Sequence, residues 1–428
     1  MARNIITALD VGTAAIQTVV AERVPDKDIP KDAPEDAFDP DQRAPLRILG
    51  AGSAPSAGVR RGAVIDVDDA AGAIRQSVAE ARKSAGVAIK SAWVGVDGTY
   101  ISSTSVRGVV AVSRADQEVA PEDVQRALTA AESFIPKNHN REVLHVIPRE
   151  FRVDGESGVR DPVGMHGVRL EAEALAIECA SLYLRSLFKA VEQAGLRVDD
   201  YVFSPLAASE AVLSKGQKEL GVMLLDIGGG SSSFIVFEEG VPVHAGVIPI
   251  GGNHITGDVA IGFRTRMDIA EQMKISYGTC MSADLPKRDN IRLAEFLPGQ
   301  EETFSRRTLA EIVEARLQDL FELLHKELRR INRARLLPGG VVLVGGSSRV
   351  PGIIPLTKRE LGLPAEQGVA RGFLPSVDET EGSAMAAALG IARWAAAKHT
   401  TSGPGWGRHI SSMGRQMWVM RWLRSLLP

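Results

Sequence analysis

The sequence has little cysteine, few aromatic residues and no long apolar run. Two cysteines in 428 residues, Cys179 and Cys280, can build neither a disulfide framework nor a zinc cluster, and they fit a reducing cytosol. Nowhere do about 18 mostly apolar, charge-free residues occur together, so a spanning helix is not expected and any membrane contact must be peripheral. The amino terminus runs straight into a strand-like segment, without an apolar stretch and a small-residue cleavage site, so no signal peptide is expected. A formal net charge of −3 gives no electrostatic reason to expect nucleic acid as a partner. His145 and His166 lack the ligand-type neighbours of a metal site and read as structural. No G-x-S-x-G elbow or other nucleophile motif is present. What remains is an ordinary globular composition, 44% hydrophobic and 24% charged, in a chain long enough for two domains or one bilobal body.

The most informative feature is an internal echo. Residues 5–20 read IITALDVGTAAIQTVV and residues 222–237 read VMLLDIGGGSSSFIVF. Each is an apolar strand that ends in Asp, then a glycine-containing turn, then a second β-rich run. Asp10 and Asp226 lie about half the chain apart, as two similar α/β halves facing each other across a cleft would place them; two unrelated hairpins are the alternative. Helical spacing over 70–84, 122–134 and 182–194 alternates with strand-like runs at 91–96 and 143–147, which implies α/β layers. A long amphipathic helix is predicted over 308–331, ended by Leu337-Pro-Gly-Gly. Residues 25–45, with five prolines and many aspartates, read as a solvated insertion, and 397–414 as a flexible linker.

Backbone N–H groups hold phosphates well where no side chain obstructs them, and glycine permits that approach. Gly12-Thr13 and Gly228-Gly229-Gly230-Ser231 supply two such turns, with the hydroxyls of Thr13, Ser231 and Ser232 as further donors. Asp10 and Asp226 could face each other and hold Mg²⁺ through waters, since Mg²⁺ keeps much of its hydration shell. A third segment, residues 341–352, is a buried strand opening through Gly345-Gly346-Ser347, where backbone could approach a base or ribose.

These three segments resemble the phosphate and adenosine motifs of the actin, heat-shock-70 and sugar-kinase superfamily. Ser204-Pro-Leu-Ala-Ala-Ser-Glu-Ala-Val-Leu and Glu381-Gly-Ser-Ala-Met-Ala-Ala-Ala-Leu-Gly are similar to its two connecting helices. Within the superfamily, Val143-Leu-His-Val-Ile-Pro-Arg-Glu-Phe, Asp161-Pro-Val-Gly-Met-His-Gly-Val-Arg-Leu, Gly251-Gly-Asn-His-Ile-Thr-Gly-Asp and Arg307-Thr-Leu-Ala-Glu-Ile-Val resemble the FtsA family of bacterial cell-division proteins. The likeness spans about residues 5–393 and the tail, and omits the insertion. It implies a bilobal actin-like α/β fold with a repeated core, a distinctive 1C subdomain and a C-terminal amphipathic helix. It further implies ATP and Mg²⁺ as ligands, with Asn253, Glu271 and Lys274 near the sugar and base and Gly251, Gly252 and Arg349 also at the ATP site. An exposed charge pair is the alternative for Glu271 and Lys274. The implied division is a first-lobe core at 1–90 and 174–219, the 1C subdomain at 91–173, and a second-lobe core at 220–260 and 338–396. The smaller subdomain of that lobe is 261–337, the linker 397–414 and the terminal helix 415–428.

Three departures bear on chemistry. Ala15 stands where such first turns often carry Lys, Ser233 where the second hairpin usually ends in Asp, and Ser204 where relatives can have Glu. Phosphoryl transfer depends on positioning and charge, so binding with at most weak hydrolysis is expected.

At 100° per residue, Trp418, Val419, Met420, Trp422, Leu423, Leu426 and Leu427 form one arc roughly 200° wide, with Arg421 and Arg424 opposite. Arg415 would have to snorkel. A short helix of this kind suits in-plane burial at an anionic bilayer surface. A helix docked on protein is the alternative. The resemblance implies a peripheral protein of the cytoplasmic membrane face at the division site. There it would tether FtsZ filaments, self-associate into filaments and meet other division proteins. The C-terminal peptide of FtsZ would be received by 261–337, where Arg306, Arg307 and Glu311 are the candidate contacts. A small-molecule kinase and an actin-like pilus assembly factor are the rival readings.

Overall fold

The structure is a computed structural model that describes residues 5–25, 45–135, 140–375, 377 and 379–399. The expected terminal helix with its candidate membrane residues, the linker before it and nearly all of the 25–45 insertion lie outside the described residues.

Two sheets repeat one path. In the first, Ile5–Val11 pairs antiparallel with Ala15–Arg23 (Val11 opposite Ile16) and parallel with Ser91–Val96 (Leu9 opposite Val94). In the second, Val222–Ile227 pairs antiparallel with Ser232–Glu238 (Ile227 opposite Ser232) and parallel with Val341–Val344 (Asp226 opposite Val344). Each sheet then adds an antiparallel strand on one side, Leu46–Pro55 or Val241–Ile248. On the other side each adds a parallel strand, Arg197–Phe203 or Ala365–Gln367. Asp10 and Asp226 therefore occupy equivalent positions, and the echo in the sequence is a duplicated α/β fold. The central strands carry apolar residues without alternation because both faces are covered; Val222, Met223, Leu224 and Leu225 are all fully buried.

The expected helices are present as Val67–Ala85, Pro121–Ser133 and Ser181–Gln193. Asp66 caps the first by accepting from the N–H groups of Asp68 and Asp69, and Gly86 ends it in the left-handed region (φ 66°). The long helix runs over Arg306–Arg330 and buries Leu309, Val313, Leu317, Leu320, Phe321, Leu324 and Leu328. It ends within one residue of the expected 331, and Asn332, with φ 56°, turns the chain there before the Leu337-Pro-Gly-Gly segment is reached. His145 is structural. It is buried, its Nε2 accepts the Phe203 N–H at 3.1 Å, and burial pushes its pKa down to about 3.

A third sheet, ordered Ile101–Ala111, Arg169–Ala180, Arg141–Val153 and Glu156–Val159, is inserted between Ser91–Val96 and the helix Ser181–Gln193. Helix Pro121–Ser133 covers it, and Val106, Leu128, Phe151 and Leu170 form its own core. Its entering and leaving strands pair side by side, with Ile101 opposite Cys179.

The two lobes meet where helices Ser204–Val212 and Ala386–His399 pack together. Small residues make the approach possible. A Cβ placed on Gly390 would lie 2.2 Å from the carbonyl oxygen of Ala207. We predict that Gly390→Ala destabilises the protein by about 1–3 kcal/mol despite alanine's better helix propensity, because the added methyl overpacks this crossing. Denaturant or thermal melts of the variant would show it as a lowered midpoint.

Candidate functional site

The carboxyl ends of the central strands bring the two glycine turns together. Each turn closes with the same bond: the Gly12 N–H donates to Ala15 O and the Gly228 N–H to Ser231 O, both at 3.1 Å. Across the cleft they touch. A Cβ on Gly229 would sit 2.7 Å from the Cβ of Ala14, and one on Gly230 would sit 2.8 Å from Thr13 Oγ1. Thr13 Oγ1 accepts the Gly62 N–H at 2.9 Å, which fixes the first turn. Anything entering between the turns has to part the lobes.

The remaining candidates gather around the second turn. The N–H groups of Gly252 and Asn253 donate to the carbonyls of Gly228 (2.9 Å) and Gly229 (2.7 Å), and Ser347 Oγ donates to Gly228 O at 3.2 Å. Gly345 (φ 87°) packs against Asp226, where a Cβ would lie 2.2 Å from Oδ1. Gly346, exposed, faces open space, and Arg349 is exposed on the same short helical turn. Lys274 Nζ reaches Gly252 O (3.2 Å), Thr256 Oγ1 (2.9 Å) and Glu271 Oε2 (2.6 Å). Glu271 and Lys274 are therefore more than an exposed charge pair: the nearly buried ammonium anchors two helices and the Gly251–Asn253 turn.

One carboxylate escaped the sequence reading. Asp97 follows strand Ser91–Val96 and lies with Asp10 and Asp226 on the cleft floor, where all three feel one another. The Ser233 hydroxyl donates to Asp97 Oδ2 at 2.8 Å, and the Gly98 N–H donates to its Oδ1 at 2.8 Å. Ser204 donates to Asp10 Oδ1 at 3.3 Å. Two of the serines noted as departures thus hold carboxylates, and an Asp at 233 would face Asp97 with like charge. Signals for Asp97 were weak, because a lone Val-Asp-Gly after a strand reads as an ordinary turn.

Burial raises Asp97 to about 6 against the two hydrogen bonds it accepts. Burial and then the Asp97 charge raise Asp10 to about 7; burial with the Asp97 and Asp10 charges raises Asp226 to about 8. The set is hard oxygen, crowded and short of positive charge, which suits Mg²⁺ held through water. Among the described residues no three Asp, Glu, His or Cys side chains converge closely enough to form an all-protein metal cage.

The partner-binding candidates lie elsewhere. Arg306 bonds to Asp289 Oδ2 (3.1 Å) and Tyr277 O (3.2 Å). Arg307 bonds to Leu285 O (2.9 Å) and Ala283 O (3.2 Å). Neither is a solvated charge at a helix start; together they strap the 277–289 segment to the long helix. Glu311 is exposed.

Two sheets of one topology, joined by crossing helices and offering glycine turns from both sides of a cleft, define an actin-like fold. The PilM-PilN type IV pilus biogenesis complex includes a chain of this fold: TM-score 0.64, 18% identity, 92% of this chain and 99% of that one covered. MreB5 of Spiroplasma citri bound to ADP is a second, at TM-score 0.51 and 13% identity, covering 93% of this chain and 99% of that one. Sequence similarity is more particular. The family model for cell division protein FtsA matches residues 223–390, and that for the SHS2 domain inserted in FTSA matches residues 98–178. The chain is 36% identical to the cell division protein FtsA of Pseudomonas aeruginosa over 86% of its length and 83% of that protein. It is 30% identical to the FtsA of Escherichia coli K12 over 99% of this chain and 98% of that one. The chain belongs to the FtsA family, and it is an actin-like cell-division protein.

The carboxylates give a pH signature. An acid whose pKa is higher folded than unfolded keeps its proton longer in the folded state, so stability falls as pH rises between the two values. Here the window runs from about 4, the ordinary Asp value, to about 8. Without Mg²⁺ or nucleotide, the melting temperature is expected to fall from pH 5 to pH 8. Asp226→Asn should flatten that fall and raise the pH 8 value, as melts across the range would record.

Proposed function

We propose that the chain binds Mg-ATP in this cleft as a conformational ligand and tethers FtsZ filaments to the anionic cytoplasmic face of the membrane at the division site. The observation that supports the nucleotide reading best is the meeting of two unobstructed glycine turns above three carboxylates. In this reading the N–H groups of Thr13 and Gly229–Ser231 hold the phosphates, while those of Gly12 and Gly228 close their turns. Asp10 and Asp226, with Asp97 beside them, hold the waters of Mg²⁺. Gly251–Asn253, Glu271, Lys274, Gly345–Ser347 and Arg349 surround the ribose and base. Mg²⁺ held there would supply positive charge against the phosphates. No lysine stands at position 15 and a serine stands at 204, so hydrolysis is slow and the nucleotide chiefly sets how the lobes sit.

The division of the chain into lobes, inserted subdomain, linker and terminal helix belongs to this reading. Its support is that the inserted sheet and the second lobe each pack a core of their own. Among the described residues no helix is long and apolar enough to cross a membrane. The anchor in this reading is the 415–428 segment, with Trp418, Trp422 and the leucines in the acyl boundary and Arg421 and Arg424 at the headgroups. One such helix holds weakly, and self-association into filaments multiplies it. The FtsZ C-terminal peptide docks on 261–337, with Glu311 as an accessible contact. Arg306 and Arg307 shape that surface by holding its 277–289 segment. The pilus reading rests on fold alone at 18% identity, and a kinase leaves the tail unexplained.

Asp226→Ala should weaken Mg-ATP binding at least tenfold, about 1.4 kcal/mol; calorimetry giving an unchanged affinity would remove Asp226 from the site. Deletion after Gly414 should abolish sedimentation with anionic liposomes and with it the recruitment of FtsZ, while ATP affinity stays. In the same assay, Glu311→Arg should lower FtsZ recruitment and leave lipid binding intact. Truncated protein that still sediments with liposomes would place the anchor elsewhere.

A further inference from the structure

Two of the hydrogen-bonded ties from the first lobe and its inserted sheet to the second lobe lie on one path leading out of the cleft. The first is the bond from Ser233 Oγ to Asp97 Oδ2 at 2.8 Å. The second lies six residues further along, at Ser103 in Ile101–Ala111, an edge strand of the inserted sheet. Its hydroxyl donates to Ala245 O at 2.5 Å and accepts the Ala245 N–H at 3.2 Å. Ala245 lies in Val241–Ile248, which is itself an edge strand of the second-lobe sheet. One side chain therefore satisfies both outward ladder groups of that residue, which a serine hydroxyl can do because it carries a donor and acceptor lone pairs. The neighbouring His244 points Nδ1 at the same hydroxyl (3.4 Å) and Nε2 at Glu327 of the long helix (2.9 Å), so the contact reaches a third element.

Around this contact the seam is polar and incompletely filled. A cavity of about 190 Å³ lies in it, lined by Arg149 of the inserted sheet and by Glu238, Val243, Ile331 and Arg333 of the second lobe. Arg160 meets Glu219 at 2.8 Å, partly in solvent. Charged side chains regain water when such a seam parts.

Both tied strands continue from the cleft. On the first-lobe side, the Tyr100 hydroxyl donates to Asp97 O at 2.9 Å and stiffens the short link from Asp97 to Ile101. On the second-lobe side, Val241–Ile248 runs on into Gly251–Asn253, whose N–H groups bond the carbonyls of the second glycine turn. Ala245 stands six residues back from Gly251, at most about 20 Å along the chain, with a bend at Pro249 between the strand and the turn. The glycine turns touch, so a phosphate chain entering between them displaces the second turn relative to the first, and this stretch of chain carries that displacement to Ala245.

We infer that Ser103 is a latch that couples occupancy of the cleft to the docking of the 98–178 sheet on the second lobe; this rests on the nucleotide reading above. Because both bonds share one oxygen, they form and break together, which makes the docking two-state.

Hydrogen exchange on the full chain tests it, with calorimetry on the same samples. In nucleotide-free protein, Ser103→Ala should speed exchange of the Val241–Ile248 segment at least tenfold and leave Val222–Ile227 unchanged, while Ser103→Thr, which keeps the hydroxyl, should retain protection. Saturating Mg-ATP should change exchange of Val241–Ile248 at least threefold in wild type and not in Ser103→Ala. Unaltered protection in Ser103→Ala would overturn the latch. A measured ATP affinity with no change of exchange in wild type would overturn the coupling alone, whereas no binding heat in wild type would overturn the nucleotide reading and the coupling with it.

Discussion

The contact between the two glycine turns is the constraint on which the rest of the molecule depends. Gly229 against Ala14 and Gly230 against Thr13 leave no room for a Cβ on the second turn. That closeness requires two sheets of one topology to present the same strand ends to each other, and it requires small residues at the helix crossing behind them. It also crowds three carboxylates onto the cleft floor, where each raises the energy of its neighbours' charged form. The cleft is thus held in a state that a cation would relieve, and binding energy has somewhere to go besides affinity.

Much of this was legible in the sequence because it depends on local rules. An Asp before a glycine turn, repeated half a chain later, has few structural explanations, and the duplicated strand order followed from it. Helix limits at 67–85 and 181–193 were close to the periodic pattern. The end of the long helix was close too, although the left-handed Asn332, a residue type that tolerates that conformation, turns the chain and not the Leu337-Pro-Gly-Gly segment.

The less legible part is where residues distant in sequence meet. Asp97 reads as a turn residue until the strand before it is seen beside Asp10. Arg306 and Arg307 read as candidate contacts for a partner peptide until their carbonyl partners at 277, 283 and 285 come into place. Glu271 and Lys274 sit at helical spacing like any surface pair, and only the fold turns the lysine inward toward Gly252. In each case the residue type was visible and its tertiary partner was not.

The paired strands at the ends of the inserted sheet have a further consequence. The chain leaves the first lobe at Ile101 and returns at Cys179, and these two residues stand opposite each other in one ladder. To the lobe, an insertion of this size is topologically a hairpin: its ends are already together, so closing the loop costs the lobe little however long it is. With its own core, it can be lengthened, exchanged or fused to a reporter without changing the path of the chain around the cleft. Changes within this subdomain can therefore leave the duplicated core as it is.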